Sequence, residues 1–258
     1  MNYIGIDIGS TCAKTAVLNE KKEIIQEFVQ PTGWSSVDTA EEILQKLKLA
    51  GISLSDDSSC CVATGYGRIS VPYADKAVTE ITCHALGAVH LFQQSDLTVI
   101  DIGGQDTKII QIEQGFVKDF IMNDKCAAGT GRFLEVMANT LSLRPNEMFE
   151  LARLGSDTTI SSMCTVFAES EVIGLIGKGE PKENIAYAVV DSTIRKVAAQ
   201  VSRMNGEMST FCLTGGLCEC EYIREALSKK LGKEVISSPD ARYAGAIGAA
   251  LSAMKIRK

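Results

Sequence analysis

Apolar strands and glycine-rich polar turns alternate along this chain, and the clearest example covers residues 99–110. This segment reads Val-Ile-Asp-Ile-Gly-Gly-Gln-Asp-Thr-Lys-Ile-Ile, which is an apolar strand, an acidic turn and a second apolar strand. The glycines permit positive φ and let backbone N–H groups approach an anion. The pattern therefore predicts a phosphate-binding turn, in which Asp101 at the strand end suits a hydrated Mg²⁺ ion.

The same pattern occurs a second time near the start of the chain. Residues 6–14 read Ile-Asp-Ile-Gly-Ser-Thr-Cys-Ala-Lys, and the aspartate and the lysine have the same spacing as in the later copy. A repeated supersecondary unit predicts two similar halves that face a shared nucleotide. We expect Thr11 and nearby backbone amides to bind the β- and γ-phosphates, and Asp7 and Asp101 to hold Mg²⁺ largely through water.

Hydrophobic periodicity predicts the other elements, and each half opens with an antiparallel meander of three short strands. The predicted strands cover residues 3–8, 12–18, 23–29, 60–64, 97–102, 107–112, 116–122, 210–213 and 235–236. The predicted helices cover residues 38–48, 79–92, 131–141, 145–154, 165–176, 181–204, 219–231 and 240–254. This order predicts an α/β protein of two domains, one formed by residues 1–93 with 240–258 and the other by residues 94–239.

Composition narrows the class of protein. The 258 residues are 45% hydrophobic and 22% charged, which is typical of a compact folded chain. A net charge of −6 argues against nucleic acid or an anionic membrane as the main partner. No apolar run approaches the roughly 18 residues of a transmembrane helix, and the N-terminus enters a strand without a signal peptide. We therefore expect a cytoplasmic protein.

Nine cysteines are present, and a reducing cytoplasm argues against a disulfide framework. Five of them lie in apolar runs and are interpreted as small buried hydrophobic residues, namely Cys12, Cys60, Cys61, Cys83 and Cys212. Cys126 and Cys164 differ, because they lie in polar loops just before helical patterns, where a helix N-terminus would stabilise a thiolate. Structural cysteines, a redox pair, and an iron–sulfur cluster completed by a second copy of the chain all remain open for these two.

A third glycine motif, Leu-Thr-Gly-Gly at residues 213–216, lies between a predicted strand and a predicted helix. Gly215 and Gly216 would let the backbone approach the α-phosphate and ribose of a nucleotide, and the alternative is an ordinary tight turn. Together the three motifs resemble those of the sugar kinase, heat-shock ATPase and actin superfamily. That resemblance implies two ribonuclease H-like domains that close over ATP.

Two longer segments carry a narrower resemblance. Residues 123–135 read Asn-Asp-Lys-Cys-Ala-Ala-Gly-Thr-Gly-Arg-Phe-Leu-Glu, and residues 164–173 read Cys-Thr-Val-Phe-Ala-Glu-Ser-Glu-Val-Ile. Together with Gly-Gly-Gln-Asp at residues 103–106, they resemble the activators of 2-hydroxyacyl-CoA dehydratases, relatives of the benzoyl-CoA reductase ATPase subunits. In that family a homodimer holds one [4Fe–4S] cluster between its subunits. Hydrolysis of ATP drives transfer of a low-potential electron to a partner iron–sulfur enzyme.

The resemblance implies roles for particular residues of this chain. Cys126 and Cys164 of both protomers would bind the cluster, ferredoxin or flavodoxin would donate the electron, and an exposed intersubunit cluster would be oxygen-sensitive. Asp7 and Asp101 would organise Mg²⁺, and Gln105 would orient the attacking water. The predicted nucleotide-binding residues are Gly9, Ser10, Thr11, Cys12, Ala13, Lys14, Gly103, Gly104, Gly215 and Gly216. Lys14 and Lys108 are weaker candidates, because either could instead pair at the surface.

Some features leave alternatives open. Cys218 and Cys220 follow the third motif where better-known activators carry Ala and Asn, so a different dehydratase-like partner is possible, and a Cys-x-Cys metal site competes with a structural role. A small-molecule kinase of the same fold is the main alternative function, with Asp106 or Glu80 as its base. A nucleotide-gated assembly protein without redox chemistry is the third class.

Overall fold

The structure is a computed structural model that describes residues 1–54, 58–161, 164–204 and 210–256. The strands in these ranges are β1 Asn2–Ile8, β2 Cys12–Leu18, β3 Ile24–Pro31, β4 Ser59–Thr64, β5 Lys76–Ala77, β6 Leu97–Ile102, β7 Thr107–Glu113, β8 Phe116–Asn123, β9 Thr210–Gly215 and β10 Val235–Ile236. The helices are α1 Ser36–Leu49, α2 Glu80–Phe92, α3 Gly131–Thr140, α4 Pro145–Ala152, α5 Thr165–Gly177, α6 Lys182–Val201, α7 Glu221–Leu231 and α8 Ala244–Ile256.

Two five-stranded sheets carry flanking helices, which confirms the predicted α/β class. The first sheet has the order β3-β2-β1-β4-β5, in which β1 pairs antiparallel with β2 and parallel with β4. Strands β2 and β3 are also antiparallel, so the predicted meander is confirmed. The second sheet has the order β10-β9-β6-β7-β8.

The two faces of β1 have different roles because side chains alternate along a strand. Ile4, Ile6 and Ile8 point to one face and form an apolar core with residues of α1. Gly5 lies on the other face, where a Cβ atom would overlap the backbone carbonyl of Ala246. Helix α8 therefore packs directly on the backbone of β1, and the alternation places the Asp7 side chain on that same face.

The chain divides into two compact units. The first comprises Met1–Leu97, Ile110–Lys118 and Asp240–Lys258, and the second comprises Thr98–Ile109 and Asp119–Pro239. In the second unit, α6 packs against α4 and α7, and α3 packs against α5. None of the helices in the described ranges is long and apolar enough to span a membrane.

A few element predictions were wrong in detail. Helix α1 begins at Ser36, because the Ser35 side chain accepts a hydrogen bond from the backbone N–H of Asp38 and caps the first turn. Strand β5 was missed, since two exposed residues give no periodic signal. The last predicted helix is interrupted: Pro239–Tyr243 forms a 3-10 turn before α8.

Candidate functional site

Two glycines enclose the carboxylate of Asp7 at the end of β1. The Asp7 residue is 3% exposed. A Cβ atom on Gly65, which follows β4 with a φ of +84°, would overlap Oδ1 of Asp7. A Cβ atom on Gly245, in the first turn of α8, would lie 2.5 Å from Oδ2. This carboxylate therefore needs glycine at both neighbouring positions.

Asp101 occupies a similar place at the end of β6 and is 2% exposed. The Thr214 hydroxyl donates a hydrogen bond of 2.8 Å to Oδ1 of Asp101. A Cβ atom on Gly215, whose φ is also +84°, would lie 2.9 Å from the same oxygen. The predicted third glycine motif thus contacts the predicted Mg²⁺ aspartate of its own half.

The backbone around the two aspartates follows the same pattern. The N–H of Gly67 donates to the carbonyl of Ile8 at 2.8 Å, and the N–H of Gly216 donates to the carbonyl of Ile102 at 3.2 Å. Thr-Gly-Tyr-Gly at residues 64–67 is the counterpart, in the first half, of the predicted Leu-Thr-Gly-Gly motif, and it was not predicted as a site. A buried strand followed by Thr-Gly is the signal that both share.

A lysine accompanies the aspartate in the second half. Lys108 is 1% exposed, and its Nζ lies 3.1 Å from Oδ2 of Asp101 and 2.7 Å from Oδ2 of Asp106. The expectation that Lys108 could pair at the surface was therefore wrong, because its ammonium is buried and is paired with these two carboxylates. Its counterpart Lys14 is only half-buried, in register with Asp7 across the β1–β2 pair.

The first predicted phosphate turn joins β1 to β2. The N–H of Gly9 donates to the carbonyl of Cys12 at 3.1 Å, and the Thr32 hydroxyl donates to the carbonyl of Gly9 at 2.7 Å. Ser10 and Thr11 are exposed, so their hydroxyls are available to a ligand. Ala13, the next predicted contact along β2, is buried.

The second predicted phosphate turn joins β6 to β7. The N–H groups of Gly131 and Arg132 in the first turn of α3 donate to the carbonyls of Gly103 and Gly104 at 2.9 and 2.8 Å. Gln105, at the tip of this turn, is exposed. The turn is therefore tied directly to the helix that follows the first cysteine segment.

Cys126 lies in the loop between β8 and α3. The Asn123 side-chain amide donates to the Cys126 carbonyl at 2.8 Å, and the Thr107 hydroxyl donates to the carbonyl of Gly129 at 2.6 Å. The predicted helix over residues 131–141 is confirmed as α3, but Cys126 lies in the loop five residues before this helix begins and not directly at its N-terminus. The polar side chains around this loop therefore donate to its backbone carbonyls and hold it in a non-helical conformation.

Cys164 is the N-cap residue of α5 and is exposed, as the sequence predicted for a helix start. Just before it, the backbone N–H and the hydroxyl of Ser161 hydrogen-bond the Glu171 carboxylate. Ser162 and Met163, the two residues before Cys164, lie outside the described residues. Cys126, by contrast, is half-buried.

The cysteines were also tested as metal ligands. Cys126 and Cys164 supply two thiols, the ligand type that iron–sulfur clusters use, which fits half of a four-ligand set. Within the described ranges, no group of three or more His, Cys, Asp or Glu side chains could hold a metal ion. Cys218 is buried and Cys220 is the half-buried N-cap of α7, where burial raises the pKa of its thiol.

The remaining cysteines mostly match their prediction. Cys60, Cys61, Cys83 and Cys212 are fully buried. Cys12 was wrongly expected in the core and is partly exposed instead, because it is the first residue of β2, next to the open phosphate turn.

Comparison with known proteins places the chain in a class of ATPases. The sequence profile of the BadF/BadG/BcrA/BcrD ATPase family matches residues 4–253. The chain therefore belongs to this family, which confirms the predicted resemblance.

Particular relatives are similar over nearly the whole chain. The (R)-2-hydroxyglutaryl-CoA dehydratase activating ATPase of Acidaminococcus fermentans is 43% identical over 254 residues, covering 98% of this chain and 96% of the relative. The crystal structure of component A of that dehydratase, from the same organism, matches with a TM-score of 0.91 at 42% identity, covering 99% of this chain and 98% of the other. The activator of the 2-hydroxyisocaproyl-CoA dehydratase from Clostridium difficile, solved with bound ADPNP, matches with a TM-score of 0.90 at 34% identity, covering 99% and 95%.

The predicted superfamily fold is also confirmed. A ROK family glucokinase from Streptomyces griseus matches with a TM-score of 0.60 over 99% of this chain and all of its own, but at 18% identity it shares the fold alone. The relatives described above at 34 to 43% identity are named as activators or components of dehydratases, so the comparisons favour the activator interpretation over the kinase alternative.

Proposed function

We propose that this protein is an ATPase that activates a 2-hydroxyacyl-CoA dehydratase-like enzyme by delivering a low-potential electron. The observation that carries the proposal is the 43% identity to a dehydratase-activating ATPase across 98% of the chain. The bound ADPNP of the second solved relative supports an adenine nucleotide as the ligand. The partner and the acyl-CoA class are proposed from the names of these relatives, and electron transfer is proposed from the resemblance of the two cysteine segments.

We assign the nucleotide chemistry to the two aspartate turns. Asp7 and Asp101 would hold Mg²⁺ through water, and Gln105 would orient the attacking water. Glycines pack closely against the carboxylates of Asp7 and Asp101. This packing supports the assignment, because it holds the orientation of both carboxylates before a ligand binds. The exposed Ser10 and Thr11 would donate hydrogen bonds to phosphate oxygens. The full phosphate- and nucleotide-binding set is Gly9, Ser10, Thr11, Cys12, Ala13, Lys14, Gly103, Gly104, Gly215 and Gly216.

We assign the redox site to Cys126 and Cys164. Two thiols of one chain and two of a second copy would complete the four ligands of a [4Fe–4S] cluster in a homodimer. A bound cluster would supply a one-electron carrier. The exposure of Cys164 supports ligation shared with another molecule, and it also implies sensitivity to oxygen. A ferredoxin or flavodoxin would reduce the protein in the cytoplasm.

Hydrogen bonds within the second unit offer a physical route from nucleotide to cysteine. The phosphate turn at Gly103 and Gly104 accepts hydrogen bonds from the first turn of α3, and Thr107 of β7 holds the Cys126 loop at Gly129. A displacement of the turn by ATP would therefore move the loop that carries Cys126. Such coupling requires ATP and ADP to bind the two arrangements with different affinity.

The first test is the iron and acid-labile sulfide content, together with the molar mass in solution, of protein purified without oxygen. We expect about two irons per chain in a dimer, which corresponds to one shared [4Fe–4S] cluster. Protein that hydrolyses ATP but holds no iron even after reconstitution would contradict the activator function.

A pair of variants locates the cluster. Cys126→Ser should lose iron and electron transfer but still bind ATP, because the nucleotide residues are unchanged. Cys220→Ser is the matched control, since serine also caps a helix well and Cys220 lies outside both cysteine segments. Iron loss in Cys220→Ser and not in Cys126→Ser would move the metal site to the Cys-x-Cys pair.

A further inference from the structure

A buried histidine faces the Asp7 carboxylate from α2. His84 is 4% exposed, and its Nε2 lies 3.9 Å from Oδ2 of Asp7 and 3.9 Å from Oε1 of Glu80. The imidazole therefore lies close to both carboxylates, at distances longer than a direct hydrogen bond. Neither the phosphate motifs nor the cysteine segments include this histidine, and sequence analysis did not single it out.

The start of α8 closes over this contact. A Cβ atom on Gly245 would lie 2.5 Å from Oδ2 of Asp7 and 2.9 Å from Nε2 of His84. The carboxylate oxygen and the imidazole nitrogen are therefore held together by three elements, β1, α2 and α8. Helices α2 and α8 pack closely on each other, and both side chains are buried there, so their movement is restricted.

The second half gives its aspartate a comparable nitrogen neighbour. There Lys108 Nζ lies 3.1 Å from Oδ2 of Asp101, while Thr214 and Gly215 face the other oxygen. In the first half His84 faces Oδ2 of Asp7 and Gly65 faces Oδ1. In each half, one carboxylate oxygen of the aspartate therefore lies near a buried side-chain nitrogen. The other oxygen lies near a glycine with positive φ.

We propose that His84 is a positioning residue that orients Asp7 toward the Mg²⁺–nucleotide complex. The proposal rests on the nucleotide chemistry assigned to Asp7 above. Groups that orient the ligands of a metal commonly contribute 10–100-fold to metal affinity or activity. His84 does not touch the nucleotide in this proposal, so its loss should weaken the effect of Mg²⁺ and leave metal-free nucleotide binding unchanged.

The test measures the dissociation constant of the fluorescent nucleotide mant-ADP without Mg²⁺ and with Mg²⁺. The first constant divided by the second is the Mg²⁺ ratio, which states how much the metal strengthens binding. We expect His84→Leu to reduce this ratio roughly tenfold or more, with the metal-free constant unchanged. His84→Gln should keep the ratio within about threefold of the natural protein, because its terminal amide can place a donor near the position of Nε2. His90→Gln is the matched control, since His90 is the other histidine of the chain and lies in the last turn of α2.

A second variant approaches the contact from α8. Gly245→Ala should also reduce the Mg²⁺ ratio, because its methyl group would displace Oδ2 of Asp7. An unchanged ratio in a folded His84→Leu protein, or equal loss of binding with and without Mg²⁺, would overturn the positioning role. Failure of the proposed function looks different, since the natural protein itself would then show no Mg²⁺-dependent nucleotide binding or hold no iron.

Discussion

Lys108 illustrates how single residues fix the geometry of this protein. It is a buried ammonium that contacts two carboxylates, and removing one partner of a buried ion pair typically costs about 3–5 kcal/mol. We therefore expect Lys108→Met to lower the free energy of unfolding by about 3 kcal/mol, measured by urea denaturation. Lys118→Met is the control, because Lys118 pairs with Glu113 on the surface and such pairs contribute about 0–1 kcal/mol. Equal losses in the two variants would contradict this account.

Thiol reactivity is a second prediction at the scale of residues. Burial raises the pKa of Cys83 to about 11 and that of Cys212 to about 12. At pH 8 both should therefore remain protonated and resist iodoacetamide until the protein unfolds, whereas the exposed Cys164 of iron-free protein should react. Mass spectrometry of native and urea-treated samples measures the difference. Alkylation of Cys83 before Cys164 would show that the core around α2 opens easily.

At the scale of elements, close packing of α2 on α8 depends on glycine. A Cβ atom on Gly248 would overlap the carbonyl oxygen of Cys83. We expect Gly248→Ala to lower the free energy of unfolding by about 3 kcal/mol, near the upper part of the usual cost of overpacking. Gly174→Ala in α5 is the matched control, because that position is open and alanine favours a helix by up to about 1 kcal/mol. A neutral Gly248→Ala would mean that the helices can separate.

Most elements could be predicted from the sequence, because buried strands and amphipathic helices have strong periodicity. The Asp-Ile-Gly repeat similarly predicted the two aspartates at equivalent strand ends. The partners of those aspartates could not be predicted, since His84, Gly245 and Gly65 come from distant parts of the chain and meet Asp7 only when α2, β4 and α8 pack around β1. The loop of Cys126 and the helix after it were predicted correctly, but the hydrogen bonds that Asn123 and Thr130 donate to the backbone carbonyls of this loop could not be predicted from the local pattern.

At the scale of the molecule, the nucleotide must change how the cysteine segments are presented if the protein is an energy-coupled activator. A ligand shifts an equilibrium only by its differential affinity for the two states. The hydrogen bonds from Gly131 and Arg132 to the second phosphate turn are the contacts that such a shift would alter first. We therefore expect a chelator to remove iron from anaerobic protein at different rates in the ATP and ADP states.

The difference in the rate of iron removal between the ATP and ADP states should depend on Asp101. In Asp101→Asn protein the charge that we propose to bind Mg²⁺ is lost, so the rates of iron removal with ATP and with ADP should converge, while the iron content at the start stays the same. Glu113→Gln, on the exposed end of β7, is the control and should keep the difference. Equal rates of iron removal with ATP and ADP in the natural protein would contradict the idea that the nucleotide controls exposure of the iron. A difference between these rates that persists in Asp101→Asn protein would mean that the control does not depend on Mg²⁺ binding by Asp101. Convergence of the two rates in Asp101→Asn protein would show that the aspartate turn and the cysteine segments are energetically coupled.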